Sequence, residues 1–299
     1  MKKVFVTGGS GLVGSFFVEN YSQKYNIIAP NYPEVDLTRK ETLEKVIKKE
    51  KPDIIVHFAA YTDVSQAESQ RDDKNGDCWQ INVEGTKNLV SLAKELSCHF
   101  IHISTDYVFP GSEENPGPHS ESDLPETDSS KVTWYGFTKA EAERVVNNIL
   151  GKERTILRLV YPVRAKYPPK LDYLRKPLSL FDQAKLYPLF NGQQVTITFI
   201  NEACLALEKI IDGKLYGNFH ASTPDLSTPY ELVSYLIEKA RGVKNAVKSA
   251  SLDEFLKSSG SSPVRYQKFG GLKVEETQKV LGIKFSPWHQ VIDKLVANF

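Results

Sequence analysis

Over the first 160 residues, short apolar runs alternate with longer stretches of helical periodicity, and this pattern restricts the fold more than any other feature of the chain. The runs are Val4–Val6, Ile27–Ala29, Ile54–Ala60, Phe100–Ser104 and Thr155–Val160. Each is rich in Val, Ile or Phe and is bounded by polar residues, Gly or Pro, as buried strands are. Between them, Thr42–Lys49 and Trp79–Leu96 are helical, the latter placing Val83, Leu89, Leu92 and Leu96 on one repeat. Strands and helices in strict alternation imply a parallel sheet covered by helices on both faces.

Beyond Val160 the pattern changes. Tyr161 to Pro177 holds four prolines among basic and aromatic residues and reads as an irregular excursion. Gln194–Ile200 and Tyr216–Ala221 read as further strands. Helices are expected at 201–211, 229–239, 252–258 and 288–296. The Pro-, Ser- and acid-rich stretch Gly111–Lys131 reads as a long loop, and a loop of that length in a compact domain is usually functional. The expected division is a first domain from 1–160 and 194–221, and a second, mostly helical one from 161–193 and 222–299.

Bulk properties exclude several function classes. With 38 Lys plus Arg against 37 Asp plus Glu, the net charge is +1. That balance supplies no electrostatic footprint for nucleic acid or an anionic membrane. No run approaches the roughly 18 apolar residues of a membrane span, and the N-terminal apolar run is too short for a signal sequence. A cytoplasmic protein is expected. Cys78, Cys98 and Cys204 are odd in number and widely spaced, as reduced packed thiols are. Histidines 57 and 102 fall inside strands and read as core residues satisfied by neighbours. Histidines 99, 119, 220 and 289 lack metal-ligand spacing, so no metal is expected.

The first strand runs into VFVTGGSGLVG, Val4 to Gly14. Gly8 would permit a tight turn, Gly11 a close approach of the backbone to a pyrophosphate, and Gly14 close packing of helix on strand. The N–H groups at the helix start would face the phosphates. A glycine-rich turn alone is weak evidence, but this one opens a βαβ unit. The second strand ends in Pro30, Asn31 and Tyr32, without the acid that binds ribose hydroxyls in NAD-specific folds. That absence favours NADP(H) over NAD(H), although Arg39, the nearest arginine, stands several residues on.

In TWYGFTK, Thr133 to Lys139, a tyrosine and a lysine stand four apart. At about 100° per residue, Tyr135 and Lys139 share a stripe with Ala142, Val146 and Ile149. A solvated lysine belongs on the other side, unless it snorkels near the helix end. An ammonium beside a phenol stabilises the phenolate and lowers its pKa, which would let Tyr135 exchange a proton with a substrate oxygen. Ser104 and Thr105, at the carboxyl end of the fourth strand, are candidate partners for that oxygen.

These stretches together resemble the extended short-chain dehydrogenase/reductases, and within them the dTDP-4-dehydrorhamnose reductase family. The resemblance rests on TGGSGLVG, VDLT, KPDIIVHFAAYTDVSQAES, INVEGTKNL, ISTDYVFPG, WYGFTKAEAE and ILRLVYP. It implies a Rossmann-type doubly wound parallel sheet with a smaller, mostly helical C-terminal substrate domain. It implies that Thr105, Tyr135 and Lys139 are catalytic, with Lys139 also bonding the nicotinamide ribose. Cofactor contacts by resemblance are Thr7, Gly8, Ser10, Gly11, Leu12, Val13, Asp36, Leu37, Phe58, Ala59, Ala60 and Tyr61, together with Asn82, Tyr135 and Lys139. Asn82 would be structural and position a proton-relay water. Val64, Asp106 and Tyr107 would meet a nucleotide-sugar substrate.

Sugar-nucleotide dehydratases carry an Asp-Glu pair after this threonine. Here Tyr107 stands where the glutamate would be, which favours the reductase branch. The chain departs from the family at LVYP and at NGQQVTIT, Asn191 to Thr198, regions expected to shape the sugar pocket. Lys166, Lys170, Arg175 and Lys176 are candidates for a substrate diphosphate, with a solvated basic loop as the alternative. The expected function is NAD(P)H-dependent reduction of a 4-keto nucleotide sugar. The alternatives are a non-catalytic NADP-binding subunit like the regulatory subunit of methionine adenosyltransferase, and a nucleotide-sugar epimerase. A homodimer is the default expectation for a symmetric soluble enzyme.

Overall fold

The computed structural model describes residues 1–299, in two compact units. The first contains Met1–Val108, Leu124–Arg158 and Cys204–Phe219; the second contains Phe109–Asp123, Leu159–Ala203 and His220–Phe299. Residues 109–123 and 194–203, which the sequence placed with the first domain, belong to the second unit. There His119 bridges to Leu272 and Gln194 to Phe269.

In the first unit the elements run β1 (Lys3–Thr7), α1 (Leu12–Tyr21), β2 (Asn26–Ile28), α2 (Lys40–Glu50), β3 (Ile54–His57) and α3 (Val64–Glu68). They continue with α4 (Asp77–Trp79), a π-turn at Gln80–Glu84, α5 (Gly85–Glu95), β4 (His99–Thr105), α6 (Trp134–Leu150) and β5 (Thr155–Leu159). A six-stranded sheet has the order β2-β1-β3-β4-β5-β9, β9 being Gly217–Ala221. Pairing is parallel across the first four strands, with Thr7 level with His57 and His57 with His102. The order turns back at β1, so the carboxyl ends of β1 and β3 flank a crevice of the kind that receives ligands in open sheets.

β3 and β4 are buried along their whole length, because helices cover both faces. One layer packs Phe5, Leu43, Ile47, Ile55, Leu89, Phe100 and Val146 together. A smaller cluster joins Ala67, Cys78, Trp79, Val83 and Trp134, with the Trp79 and Trp134 rings stacked at 5.8 Å. The expected strand Ile54–Ala60 ends at His57, since the chain leaves the sheet toward the glycine loop.

In the second unit, β6 (Pro162–Val163) pairs with β8 (Thr198–Phe199), and β7 (Leu189–Phe190) with β10 (Ser249–Ala250). Of the short strand expected at Gln194–Ile200, only β8 and isolated bridges at Gln194 and Val195 form. Helix α7 (Arg175–Asp182), inside the stretch read as irregular, and α11 (Glu275–Leu281) are additional to the sequence reading. α7, α9 (Pro229–Arg241) and α12 (Trp288–Val296) share a core of Leu178, Leu232, Leu236 and Val291. No helix is long and apolar enough to cross a membrane.

Candidate functional site

The glycine loop is built as its spacing requires. Gly8 takes φ +69°, and a Cβ on Gly14 would stand 2.3 Å from Gly8 O, so helix and loop touch through backbone alone. α1 starts at Leu12 without a side-chain cap and without an acid in its first turn. Ser10 and Gly11 are exposed, and Leu12 and Val13 half-buried. An uncapped helix start with no opposing carboxylate fits an anion such as a dinucleotide pyrophosphate. Across the crevice, half-buried Phe58, Ala59, Ala60 and Tyr61 follow β3, and Ala59 N reaches Thr7 Oγ1 at 3.4 Å.

Asp36 does not follow β2 directly. Its Oδ1 accepts from Thr38 N at 2.9 Å and Thr38 Oγ1 at 2.7 Å, closing a turn. Leu37 is buried, and its carbonyl accepts from Asn88 Nδ2 at 3.0 Å.

The π-turn at Gln80–Glu84 carries Asn82, which is buried. Asn82 Oδ1 accepts from Tyr61 N at 2.8 Å, and Nδ2 donates to Tyr61 O at 3.2 Å and to Thr138 Oγ1 at 2.9 Å. This clasp joins the loop after β3 to α6. Such a π-turn is the usual way to aim one side chain from within a helix.

Helix α6 starts at Trp134, one residue earlier than the tyrosine taken to open it. Its cap is Thr133, whose Oγ1 accepts from Gly136 N at 3.0 Å. Trp134 N donates to Glu68 Oε1 at 2.5 Å, and Arg71, paired with that carboxylate, donates to Ser129 O and Val132 O. Sequence reasoning passed over Glu68 and Arg71. Their i,i+3 spacing was the available signal. It also passed over Gly136, where a Cβ would lie 2.1 Å from Tyr107 O. Glycine there lets the Asp106–Val108 turn press onto α6, bringing the rings of Tyr107 and Tyr135 to 5.9 Å, edge to face.

Thr105 ends β4, and Tyr135 and Lys139 lie in the first turns of α6. Thr105 is buried there, near enough to Tyr135 for its hydroxyl to act on the phenol. That hydroxyl donates to Asp106 Oδ1 at 3.1 Å. Ser104 Oγ, the other candidate, is buried without a hydrogen bond. The Asp106 carboxyl is pushed up to about 7 by burial, partly offset by its bond from Thr105.

Two expectations need correction. Burial pushes the Tyr135 phenol well above its ordinary value, with the neighbouring Thr105 hydroxyl acting in the other direction. The expected lowering by Lys139 is not found, because the lysine points elsewhere. Lys139 is 2% exposed, and its Nζ donates to Ile103 O at 2.9 Å and meets His102 Nε2 at 3.0 Å. Burial brings its pKa down to about 8. His102 is therefore not a fully satisfied core residue: one nitrogen faces Lys139, and Nδ1 has no partner. His57 is satisfied as expected, with Thr7 Oγ1 at 2.7 Å and Thr86 Oγ1 at 3.0 Å.

Val64, half-buried, opens α3 behind the Asp63 cap. Of the basic residues proposed for a diphosphate, Arg175 is engaged internally, donating to Asp172 Oδ2 at 2.7 Å and to Tyr167 O and Lys170 O. No three His, Cys, Asp or Glu side chains gather in a way that could hold a metal.

A glycine-cradled helix start beside Thr105, Tyr135 and Lys139 on a parallel sheet defines an extended short-chain dehydrogenase/reductase, a class of NAD(P)-dependent oxidoreductases. More narrowly, the chain belongs to the RmlD substrate binding domain family, which matches residues 1–299. It is 26% identical over 315 residues to dTDP-4-dehydrorhamnose reductase of Aggregatibacter actinomycetemcomitans, covering 99% of each chain. It is 28% identical over 329 residues to methionine adenosyltransferase 2 subunit beta of Rattus norvegicus, covering 98% of this chain and 89% of that one. In fold it resembles the dTDP-4-dehydrorhamnose reductase of Bacillus anthracis, solved in complex with NADP. The TM-score is 0.85 at 23% identity, over 100% of this chain and 99% of the other.

Proposed function

We propose that this protein reduces a 4-keto nucleotide sugar with NAD(P)H. The observation that carries the reading is the buried grouping of Thr105, at the carboxyl end of β4, with Tyr135, whose ring meets that of Tyr107 at 5.9 Å, one helical turn from the buried Lys139. Thr7, the loop from Gly8 to Val13, and Phe58 to Tyr61 would hold the dinucleotide, with Asn82 fixing Tyr61. When bound, its nicotinamide supplies a hydride to the carbonyl carbon.

Tyr135 donates the proton. Its raised pKa keeps the phenol protonated at neutral pH, the form a general acid needs. As the proton leaves, negative charge develops on the phenol oxygen. The Thr105 hydroxyl, which donates to Asp106 Oδ1 in the resting site, turns to donate to it, while the Lys139 ammonium, the major form at pH 7 with a pKa of about 8, is assigned to the cofactor ribose. Asp106 and Tyr107 flank the same oxygen site and are assigned to the sugar, with Val64. NADP(H) is the favoured cofactor, since no carboxylate closes β2 and Asp36 is tied to Thr38.

Purified protein is to be assayed for NADPH oxidation against a panel of 4-keto sugar nucleotides. Turnover by wild type and none by Tyr135→Phe supports the reading. The similarity to methionine adenosyltransferase 2 subunit beta over 98% of the chain supports a second one, a cofactor-binding subunit without turnover. Tight NADPH binding, no turnover on any sugar, and a co-purifying enzyme would establish it instead.

A further inference from the structure

We propose that His102 is a positioning residue: its neutral imidazole and the Ile103 carbonyl together aim the Lys139 ammonium, leaving one N–H for the cofactor ribose. The inference rests on the reading of Thr105, Tyr135 and Lys139 as the reacting set, and it adds a residue to it.

The argument begins with donor arithmetic. A lysine ammonium has three N–H groups and no acceptor. Two are directed by the protein, one to Ile103 O at 2.9 Å and one to His102 Nε2 at 3.0 Å. Both acceptors sit on β4, so they fix the ammonium against the strand that ends in Thr105. For Nε2 to accept, its lone pair must be free, and the ring proton must then reside on Nδ1. The surroundings favour this uncharged tautomer. Burial and the neighbouring Lys139 hold His102 well below its ordinary pKa. Its ring lies 5.4 Å from that of His57, which is itself depressed to about 3. Glu143 on α6 and Cys78 on α4 are the other titratable groups acting on Lys139, and both favour its charged form.

A second observation separates this from a plain packing role. His102 is fully buried, and its Nδ1 has no hydrogen-bond partner. A buried N–H without an acceptor is destabilising. A residue that served only to fill β4 would do so more cheaply as an aliphatic or phenyl side chain. The contact to Lys139 is what an imidazole provides there and those do not.

The test uses His102→Phe and His102→Gln, since a glutamine amide oxygen can stand where Nε2 does. In side-chain nitrogen spectra of histidine-labelled protein without cofactor, His102 should be neutral and protonated on Nδ1 from pH 5 to 8. A ring that titrates in that range, or carries its proton on Nε2, overturns the proposal. NADPH affinity, read by fluorescence, should weaken about tenfold in His102→Phe, the size of one hydrogen bond to a charged group, and return to near wild type in His102→Gln. With an active sugar, kcat should fall in His102→Phe while KM for the sugar holds. Wild-type affinity in the Phe variant, or equal weakening in both variants, refutes positioning. If His102→Phe fails to fold, the nitrogen spectrum and the Gln variant still decide. Tautomer and cofactor affinity need no sugar, so a protein that reduces none of the panel would sink the reductase reading while leaving these readouts intact.

Discussion

The Glu143 carboxylate and the Arg158 guanidinium meet in a two-bond fork, at 2.9 Å through Nε and 2.7 Å through Nη2, with side chains 0% and 1% exposed. The fork ties α6, which carries Tyr135 and Lys139, to β5. Breaking a buried pair from one side leaves a charge uncompensated. Arg158→Met should therefore destabilise the protein by about 3–5 kcal/mol in denaturant unfolding. The double variant Glu143→Leu/Arg158→Met should regain most of that loss. A single variant as stable as wild type would show that the pair does not hold α6.

Replacing the acid should abolish chemistry and spare the fold. Tyr135→Phe is expected to reduce kcat by roughly 100- to 10,000-fold, the range for a general acid, with an unchanged melting temperature. Thr105→Val should lower kcat without restoring a proton donor. A Tyr135→Phe enzyme with wild-type kcat would assign the proton to another group, Asp106 first.

Gly136→Ala places a methyl group 2.1 Å from Tyr107 O, where no rotamer relieves it. The Asp106–Val108 turn and α6 must separate. The expected result is loss of sugar turnover with NADPH binding largely preserved, read by kinetics beside cofactor fluorescence. An Ala variant as active as wild type would mean that the turn can move freely.

Stability should fall on mild acidification. His57 and His99 are held by burial at about 3 and about 4, and His102 well below its ordinary value. Each is neutral when folded, and in the unfolded chain each takes up a proton near pH 6.5, so the unfolded state binds more protons and gains as pH drops. Each contributes a loss of about 1.4 kcal/mol per pH unit between pH 6.5 and its folded value. Asp106, raised to about 7, acts oppositely, because its folded form is already protonated above pH 3.8. Three histidines against one carboxyl leave a net loss from pH 6.5 to 4. Unfolding free energies that are flat or rising over that interval would contradict it.

NADPH should bind more tightly than NADH, in direct titrations of the protein with each. The opposite order would give Asp36 the ribose-binding role that its bonds to Thr38 argue against.

Period and punctuation made the sheet legible. β1 and β3 are nearly continuous apolar runs, β4 and β5 hold an apolar core between buried polar residues, and their helices carry 3.6-residue stripes, so hydrophobic burial largely specifies them. The inward phase of Lys139 was readable for the same reason. Its bond to His102 was not, because the two are 37 residues apart in sequence and meet only where α6 packs on β4. Helix α7 was hidden by the prolines around it. Gln194–Ile200 has strand-like residues but little of it pairs, which a single segment cannot reveal. The role of Gly136 depends on a carbonyl 29 residues earlier in the chain, and no local pattern records that.

The π-turn at Gln80–Glu84 has a consequence for how the chain can vary. It is one residue too long for α-helical winding, and that surplus turns Asn82 back onto Tyr61. Deleting any one residue between Asp77 and Gly85 would restore regular winding and rotate Asn82 off its two backbone partners. Substitutions at its less buried positions, Gln80, Ile81 and Glu84, can leave that geometry in place, but a change of length cannot. The segment is a fixed interval in an otherwise adjustable helix, and homologues that differ freely around it would be held to the same count.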